Sequence, residues 1–441
     1  MKKICFVRKS QIERLRRFKL QKNKRRSRRT HKRNLRFKFQ REDLARRFGS
    51  HSKILKLLEQ KATRKIEVKQ GISVTIPATF SIIDEPELVI ETINQFAAVK
   101  LSGARPSQVY IDQSRMTSYD LAASALLDLV AVELKTELHL ANRVSRFRGA
   151  LPTSPEVSRF VKAIGIIKHL GIRDHLPTFS ELEKLKIFDR RNRNYSKPTS
   201  AKTSSRKEKA ASGFVDHINE CLKAHGRVLT RAGITQLSGC IGELLDNAEE
   251  HAEFADWSML GYLDLHRTQQ KVEIAIFNFG RSIAQTFQDL PGTHYAWMSV
   301  KPYLDRHLGF RAITHRYRQE DLITVMALQE HVSSKNNDAT GHRGHGTIQL
   351  LRFFNNLHQL CNETQVGPEM ALLSGSTFIR FTGTHTITDS AKEEGIIAFN
   401  QQNSLDYPPS QKYVKGLGKT QFPGTIISIR FPLTAAMIEE E

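Results

Sequence analysis

The chain has 441 residues, and its 68 Lys and Arg against 45 Asp and Glu give a formal net charge of +23. Its four cysteines are scattered without the spacing of a zinc or disulfide framework, which excludes a small disulfide-stapled protein and favours a reducing compartment. No uncharged apolar run approaches the roughly 18 residues that cross a bilayer, and no signal peptide opens the chain, so we expect a cytoplasmic protein of two or three domains without a transmembrane segment.

The positive charge is concentrated at the N-terminal end. Residues 1–66 hold 26 Lys and Arg and four acidic residues, whereas the rest of the chain is almost neutral. The densest stretch, Lys22–Arg33, has almost no apolar side chain, so residues 1–66 are expected to be a basic, largely disordered or helical extension. Such a segment suits nucleic acid or another polyanion. An anionic membrane surface, or a role in solvation alone, remains open.

Residues 71–188 have the pattern of a small α/β domain. Apolar alternation predicts strands at residues 72–80 and 108–111. Apolar side chains at helical spacing predict helices at residues 87–99 and 118–138. A strand–helix–strand–helix order indicates at least one crossover unit.

The segment VYIDQSRMTSYDLAASALLDLVAVEL within this domain resembles the STAS domain of anti-sigma-factor antagonists. Asp112 and Ser114 match the end of that family's strand, and Asp120 matches the aspartate that opens the next helix. The family places its phosphoacceptor serine directly after that aspartate, where this chain has Leu121. The resemblance therefore implies a STAS-like module that docks a protein partner without the usual phosphoacceptor.

Residues 189–213 separate this domain from the next. They are charged and rich in Ser and Thr, with almost no large apolar group. That composition predicts a flexible linker, with a further domain at residues 214–438.

The segment IGELLDNAEEHA, residues 241–252, has the spacing of an amphipathic helix. Glu243, Asn247 and His251 are four residues apart, so they lie along one helical face beside an apolar stripe. The Asn247 amide oxygen can ligate a hard cation, and the Glu243 carboxylate can activate water or a hydroxyl. An ordinary amphipathic helix with a polar edge has the same pattern.

Three further segments follow in order. Residues 271–277 alternate like a strand, with Val272, Ile274 and Ile276 on one side, and lead into Asn278 and Gly280. The sequence GHRGHGTIQLL then places three glycines before an apolar helical run, which suits phosphate binding. A last strand is predicted at residues 423–433.

Two long segments separate these motifs. Residues 281–340, with a helical pattern at 321–332, are expected to form a partly ordered lid. Residues 384–424 are expected to be an insertion between two terminal strands.

In this order the segments resemble the ATP-binding fold of the GHKL superfamily, shared by gyrase, the large heat-shock chaperone, histidine kinases and mismatch-repair ATPases. The resemblance covers roughly residues 212–438 and is closest to the histidine-kinase and anti-sigma-factor branch. It implies an α/β protein whose C-terminal domain is a two-layer, Bergerat-type sandwich that binds ATP and Mg²⁺.

The resemblance also implies roles for single residues. Residues 241–252 match the N-box, so Asn247 is expected to bind magnesium and Glu243 to act as general base. Asn278 and Gly280 match the box that grips the adenine amino group, with Asn278 where the family has aspartate. Thr425, after Gly424, is expected to contact the adenine pocket. The residues expected near the phosphates are Ser333, Ser334, Lys335, Gly341, Gly344, His345, Gly346 and Thr347.

The histidines of these motifs have two interpretations each. His251 either touches the nucleotide or is a packed helix residue. His342 and His345 either contact phosphate or face solvent. No histidine or cysteine spacing predicts a zinc site.

Three reactions fit these residues. The first is ATP hydrolysis that drives lid closure and regulates a protein or nucleic-acid partner. The second is protein-kinase activity of the anti-sigma-factor type, and the third is a nucleotide-gated module that does not hydrolyse ATP. His217 is not expected to be a phosphoacceptor, because the proline-containing signature of histidine kinases is missing beside it. The paired resemblances imply a bacterial signalling protein, and a homodimer remains open.

Overall fold

The fold is taken from a computed structural model. It describes residues 52–62, 72–98, 108–140, 146–164, 185–194, 200–223, 226–251, 255–265, 271–308, 317–330, 332–334, 345–361, 366–386, 395–434 and 437–440. Most of the predicted basic extension, residues 1–66, lies outside these ranges. Its principal described element is helix α1 (Lys53–Glu59), and Lys53–Glu441 form one compact unit.

The N-terminal part of this unit, up to residue 164, is an α/β arrangement, as predicted. Strands β1, β3 and β5 form a parallel sheet in the order β1-β3-β5, and β2 pairs with β4. The elements are α1 (Lys53–Glu59), β1 (Ile72–Thr75), β2 (Thr79–Phe80), α2 (Pro86–Ala98), β3 (Gln108–Asp112), β4 (Ser118–Tyr119), α3 (Leu121–Leu140), β5 (Arg146–Ala150) and α4 (Pro155–Ile164).

Two predicted boundaries differ from the structure for local reasons. The strand expected at residues 72–80 is divided into β1 and β2, and Pro77, which has no N–H to donate, lies in the gap. The helix expected from residue 118 begins at Leu121. Asp120 caps it, because its Oδ1 accepts a hydrogen bond of 2.8 Å from the Ala123 N–H.

The C-terminal part contains a seven-stranded sheet in the order β12-β11-β10-β13-β9-β8-β6, with every neighbouring pair antiparallel. Its strands are β6 (Leu185–Asn194), β8 (Ala255–Asp264), β9 (Lys271–Phe279), β10 (Glu369–Gly375), β11 (Thr377–Phe381), β12 (Val414–Gly416) and β13 (Phe422–Pro432). The other elements are α5 (Ser200–Lys223), β7 (Arg227–Leu229), α6 (Arg231–His251), α7 (Ile283–Gln288), α8 (Ala296–Leu308), α9 (Gln319–Met326), α10 (His345–Leu360) and β14 (Ile438–Glu440), the last paired with β7.

The two faces of the seven-stranded sheet pack against different layers. Val272, Ile274 and Ile276 share a core with α5, α6 and α10, which confirms that these three side chains lie on one side. We call this side the helical face. Ala275 and Phe277, on the opposite side, share a core with helices α1–α4 of the N-terminal part. Both faces of the sheet are therefore buried.

The prediction of a flexible linker at residues 189–213 is wrong. Strand β6 pairs with β8 from Leu185 to Asn194, and α5 begins at Ser200. Strand pairing uses backbone groups, so the polar side chains of β6 do not prevent it. In α5, Ala210, Ala211 and Phe214 are buried against the sheet, which fixes the helix by its apolar stripe.

The long segments between the motifs are ordered where they are described. Helices α7, α8 and α9 lie in the predicted lid, although the helix expected at residues 321–332 ends at Met326. Residues 395–424 pack on it: Gln329 donates to the Ile397 carbonyl at 2.9 Å and accepts from the Ile397 N–H at 3.0 Å. An Arg306–Asp406 ion pair adds a second contact. The described parts of the predicted lid and residues 395–424 are thus packed against each other.

Polar contacts fix the N-terminal part to the sheet. The guanidinium of Arg430 donates to both carboxylate oxygens of Asp84, at 3.1 and 3.2 Å, and to Glu369 at 2.6 Å. Burial raises the pKa of Asp84, but the Ser81 hydroxyl and Arg430 more than offset it, so that this pKa lies below its usual range. The network is half-buried and joins residues that are far apart in the sequence.

A second contact places two carboxylates at the start of α3. Glu273 of β9, which is 1% exposed, accepts a hydrogen bond of 2.8 Å from the Leu121 N–H. Asp120 is fully buried beside it and accepts from the Ser81 hydroxyl and the Ile83 N–H. Burial, and then the charge of Glu273, raise the pKa of Asp120 to about 6.

The raised pKa of Asp120 predicts a stability that falls as pH rises. Below about pH 4 the carboxyl is protonated in both the folded and the unfolded chain, and its contribution is fully present. Between about pH 4 and 6 only the unfolded chain ionises, so the free energy of unfolding should lose roughly 3 kcal/mol, at about 1.4 kcal/mol per pKa unit. Denaturant unfolding of the wild type and Asp120→Asn from pH 4 to 7 measures this contribution.

The difference between the two proteins isolates Asp120. Groups that do not share a hydrogen-bond partner with Asp120, such as Glu369 with its lowered pKa, act in the opposite direction in both proteins and cancel. Asp120→Asn also loses an acceptor, so its overall stability should be lower. A pH slope that is the same in both proteins would refute the prediction.

Among the described residues, no helix has the length and apolar character needed to span a membrane. Cys221, Cys240 and Cys361 are buried, and none of them is in a disulfide within the described residues.

Candidate functional site

A row of polar side chains crosses three neighbouring strands on the helical face. Asn278 of β9 is the register partner of Thr425 in β13, and Thr425 is the partner of Ser374 in β10. All three are at most 8% exposed. We call Asn278, Thr425 and Ser374 the polar row. Trp257 of β8, also buried, is the register partner of Asn278 on its other side.

The polar row lies on the helical face because side chains alternate along a strand. Asn278 is two residues after Ile276 in the series Val272, Ile274 and Ile276. Thr425 is two residues before Ile427, which also faces this core. Helix α6, which carries the predicted N-box, packs over the same face through Leu244, Leu245 and other buried side chains. The polar row and the helix that carries the predicted N-box therefore lie on the same face of the sheet.

A close approach of two backbones sets the geometry of the polar row. Gly424 has a φ of 137°, and a Cβ built on it would lie 2.0 Å from the carbonyl oxygen of Asn278. Gly280, with a φ of 133°, donates its N–H to the Pro423 carbonyl at 3.1 Å. Only glycine allows both the left-handed backbone and the short distance at residue 424. The two glycines named by the sequence motifs thus hold β9 and β13 together beside the polar row.

Hydrogen bonds within the polar row are incomplete. The hydroxyls of Ser374 and Thr425 are 2.8 Å apart, and the Ile283 N–H donates to Ser374 Oγ at 2.8 Å. The Asn278 side chain is 2% exposed, yet its Nδ2 has no hydrogen-bond partner among the described residues. Buried N–H groups are rarely left without an acceptor, because that costs about 1–3 kcal/mol. The unpaired amide of Asn278 could therefore donate a hydrogen bond to a bound ligand.

The predicted residues of the N-box are all in helix α6. Glu243, Asn247 and His251 fall on one helical stripe, adjacent to the stripe of Ile241, Leu244, Leu245 and Ala248 that is buried toward the sheet. The side chains of Glu243, Asn247 and His251 lie outside the described part of the structure. Their roles in magnesium binding and catalysis remain predictions.

The residues predicted near the phosphates are only partly described. Ser334 is buried at 8% exposure, and the backbone of His345, Gly346 and Thr347 forms the first turn of α10. Lys335, Gly341, His342 and Gly344 lie outside the described residues. Helix starts favour phosphate, and the role of residues 345–347 in phosphate binding remains a prediction.

Sequence reasoning missed two members of this region. Ser374 precedes Gly375, a glycine with a φ of 62°, so the chain repeats a polar residue beside a left-handed glycine at a third strand end. That repetition of Asn278–Gly280 and Gly424–Thr425 was the available signal. Trp257 carries no such signal, since only the pairing of β8 with β9 places it beside Asn278.

A cavity of about 590 Å³ occurs elsewhere, along one side of α8. No predicted site residue lines it. Its lining residues are Gly292, Trp297, Lys301, Leu304, Asp305, Leu308 and Gln319. Size alone does not make this cavity the functional site, because Lys301, Asp305 and Gln319 are exposed and the cavity is open to solvent.

Comparisons with known proteins identify no relative: no family model matches the chain, and neither a curated protein nor a solved structure matches it. Within the described ranges, no group of three or more His, Cys, Asp or Glu side chains is arranged to hold a metal ion. Function is therefore inferred from the polar row and from the motifs around it.

Proposed function

We propose that the chain is a magnesium-dependent ATP-binding protein of the GHKL type, with the purine against the polar row. The observation that carries this proposal is the direct cross-strand pairing of Asn278 with Thr425. The family resemblance implies that Asn278 and Thr425, which are far apart in the sequence, line one purine pocket. The two residues are neighbours on the face of the sheet that α6 covers. A carboxamide beside a hydroxyl offers the donors and acceptors that a purine edge requires.

The proposed phosphate and metal positions follow from the two helices of the helical face. Asn247 of α6 would supply an amide oxygen, a ligand type that magnesium accepts, and the start of α10 would supply backbone N–H groups for phosphate. Bound magnesium would neutralise charge that develops on the phosphate oxygens. Glu243, one turn before Asn247, would orient and deprotonate the attacking water.

Hydrolysis that closes the lid and regulates a partner is the reaction that we favour over phosphorylation of the chain's own N-terminal part. The position at which a STAS domain carries its phosphoacceptor is Leu121, which is fully buried and whose N–H is bonded to Glu273. Phosphorylation at that position would require both a hydroxyl and access to it. A kinase acting on a separate protein would transfer labelled phosphate to that protein, which distinguishes it from a hydrolase.

Calorimetric titration of ATP into the full chain, with and without magnesium, tests the binding proposal. We expect saturable binding that is strengthened by magnesium in the wild type, and loss of the magnesium dependence in Asn247→Ala. Asn356→Ala, which changes an exposed asparagine of α10, is the matched control and should behave like the wild type. Absence of binding at millimolar ATP would refute the proposal.

A second proposed activity belongs to the basic extension. Helix α1 contributes Ile54, Leu55 and Leu58 to the core, so a truncation should end before Lys53. Residues 1–51 still contain 21 Lys and Arg and three acidic residues. We expect deletion of residues 1–51 to abolish salt-sensitive retention on nucleic acid while ATP binding persists.

The reason is counterion release, which lowers affinity by about 10³- to 10⁵-fold between 50 and 200 mM salt when 6–10 phosphates are contacted. Retention on double-stranded DNA and on single-stranded RNA, measured at several salt concentrations, checks this. Equal retention of the full chain and the truncated chain would contradict it.

A further inference from the structure

The unpaired amide of Asn278 has a chemical consequence for the base that the polar row reads. Its Nδ2 is a buried donor without an acceptor among the described residues. The hydrogen bond between the Ser374 and Thr425 hydroxyls uses one of their two protons. The Ile283 N–H donates to Ser374 Oγ, so the second hydroxyl proton can be donated to a further acceptor. The polar row therefore presents donors as well as acceptors.

Adenine and guanine offer opposite patterns on the edge that such a row meets. Adenine presents a 6-amino donor beside the N1 acceptor, whereas guanine presents an O6 acceptor beside the N1–H donor. A carboxamide has an acceptor on one side and a donor on the other, so a 180° flip of Asn278 matches either base. A carboxylate has acceptors only, so with the 6-position of the base directed at residue 278 it would accept from the adenine amino group and repel guanine O6.

We propose that the site accepts both adenine and guanine nucleotides, and that Asn278 is the residue that makes it tolerant. This inference rests on the proposed function, because it requires the purine to lie against the polar row. Nothing else in the row restores the preference: the Ser374 and Thr425 hydroxyls can each donate or accept. The orientation of the Asn278 carboxamide therefore determines which of the two purines is bound.

Titration of ATP and of GTP, each with magnesium, into the full-length wild type and Asn278→Asp tests this. We expect the wild type to bind the two nucleotides with dissociation constants within about tenfold of each other. Asn278→Asp should shift the ratio toward ATP by tenfold or more, the size of change in affinity that one mismatched base contact causes. Asn219→Asp is the control: it adds the same charge on α5 and keeps the acceptor of the Leu229 N–H, so its ratio should not change.

A carboxylate buried at residue 278 can also lower the stability of the fold, so Asn278→Ala is included. It removes both the donor and the acceptor, and should weaken ATP and GTP to the same extent. Binding of ATP more than 100-fold tighter than GTP by the wild type would overturn the inference and leave the proposed function intact. An unchanged ratio in a folded Asn278→Asp would do the same. Binding of neither nucleotide would overturn both.

Discussion

Replacing Glu243 by glutamine should lower the rate of phosphate release from ATP by about 10²- to 10⁴-fold, the usual contribution of a general base. The amide keeps the size of the side chain and removes only its ability to take a proton. Binding of magnesium and ATP should stay within a few-fold of the wild type, because Asn247 and the polar row are unchanged. A coupled phosphate-release assay, run beside the calorimetric titration, gives both quantities.

Glu249→Gln is the matched control for this substitution. Glu249 is in the same helix but six residues later, so its position is outside the stripe of residues 243, 247 and 251. Its turnover should equal that of the wild type. If Glu243→Gln hydrolysed ATP at the wild-type rate, Glu243 would not be the base. If the wild type bound ATP without releasing phosphate, the chain would be a nucleotide-gated module or a kinase.

Gly424→Ala should destabilise the fold and disrupt the site together. Its Cβ would lie 2.0 Å from the Asn278 carbonyl oxygen, at a φ of 137° that side chains rarely allow. Backbone strain of about 1–3 kcal/mol and a similar cost of overpacking predict a loss of several kcal/mol in the free energy of unfolding. The shift of β13 away from β9 would separate Thr425 from Asn278, so ATP affinity should fall as well.

Gly239→Ala provides the comparison for this prediction. Gly239 is an exposed residue of α6, and a Cβ there would meet nothing within 4 Å. Alanine is the better helix former, so this variant should be as stable as the wild type or about 0.5–1 kcal/mol more stable. Urea unfolding of the two variants measures the difference. Equal stability of Gly424→Ala and Gly239→Ala would show that the strand approach is not as tight as described.

The strands and helices that the sequence predicts correctly are those whose signal is local. Strand β9, strand β13 and helix α2 each show their period within a dozen residues. Strand β13 and helix α2 are found within one residue of their expected bounds, and β9 begins where expected and ends two residues later. The sequence pattern does not predict helix α5, because only the second half of the helix has an apolar stripe, which begins near Ala210. Strand β6 has no such stripe and is held by ten residues of backbone pairing with β8.

Packing between segments that are far apart in the sequence cannot be predicted from local periodicity. Glu273 alternates with apolar residues, as in a strand with one solvated face, but the N-terminal part covers that face and buries it. Its partner, the Leu121 N–H, is 152 residues away. In the candidate site, motif resemblance named Asn278 and Thr425, whereas Ser374 became visible only through its register with Thr425.

The most direct test of the central claim is a crystal structure of the full chain with magnesium and a non-hydrolysable ATP analogue. The claim predicts the purine on the helical face, with its edge hydrogen-bonded to Asn278 and Thr425 and its phosphates directed toward α6 and the start of α10. A purine bound instead in the cavity lined by Trp297 and Lys301 would contradict it.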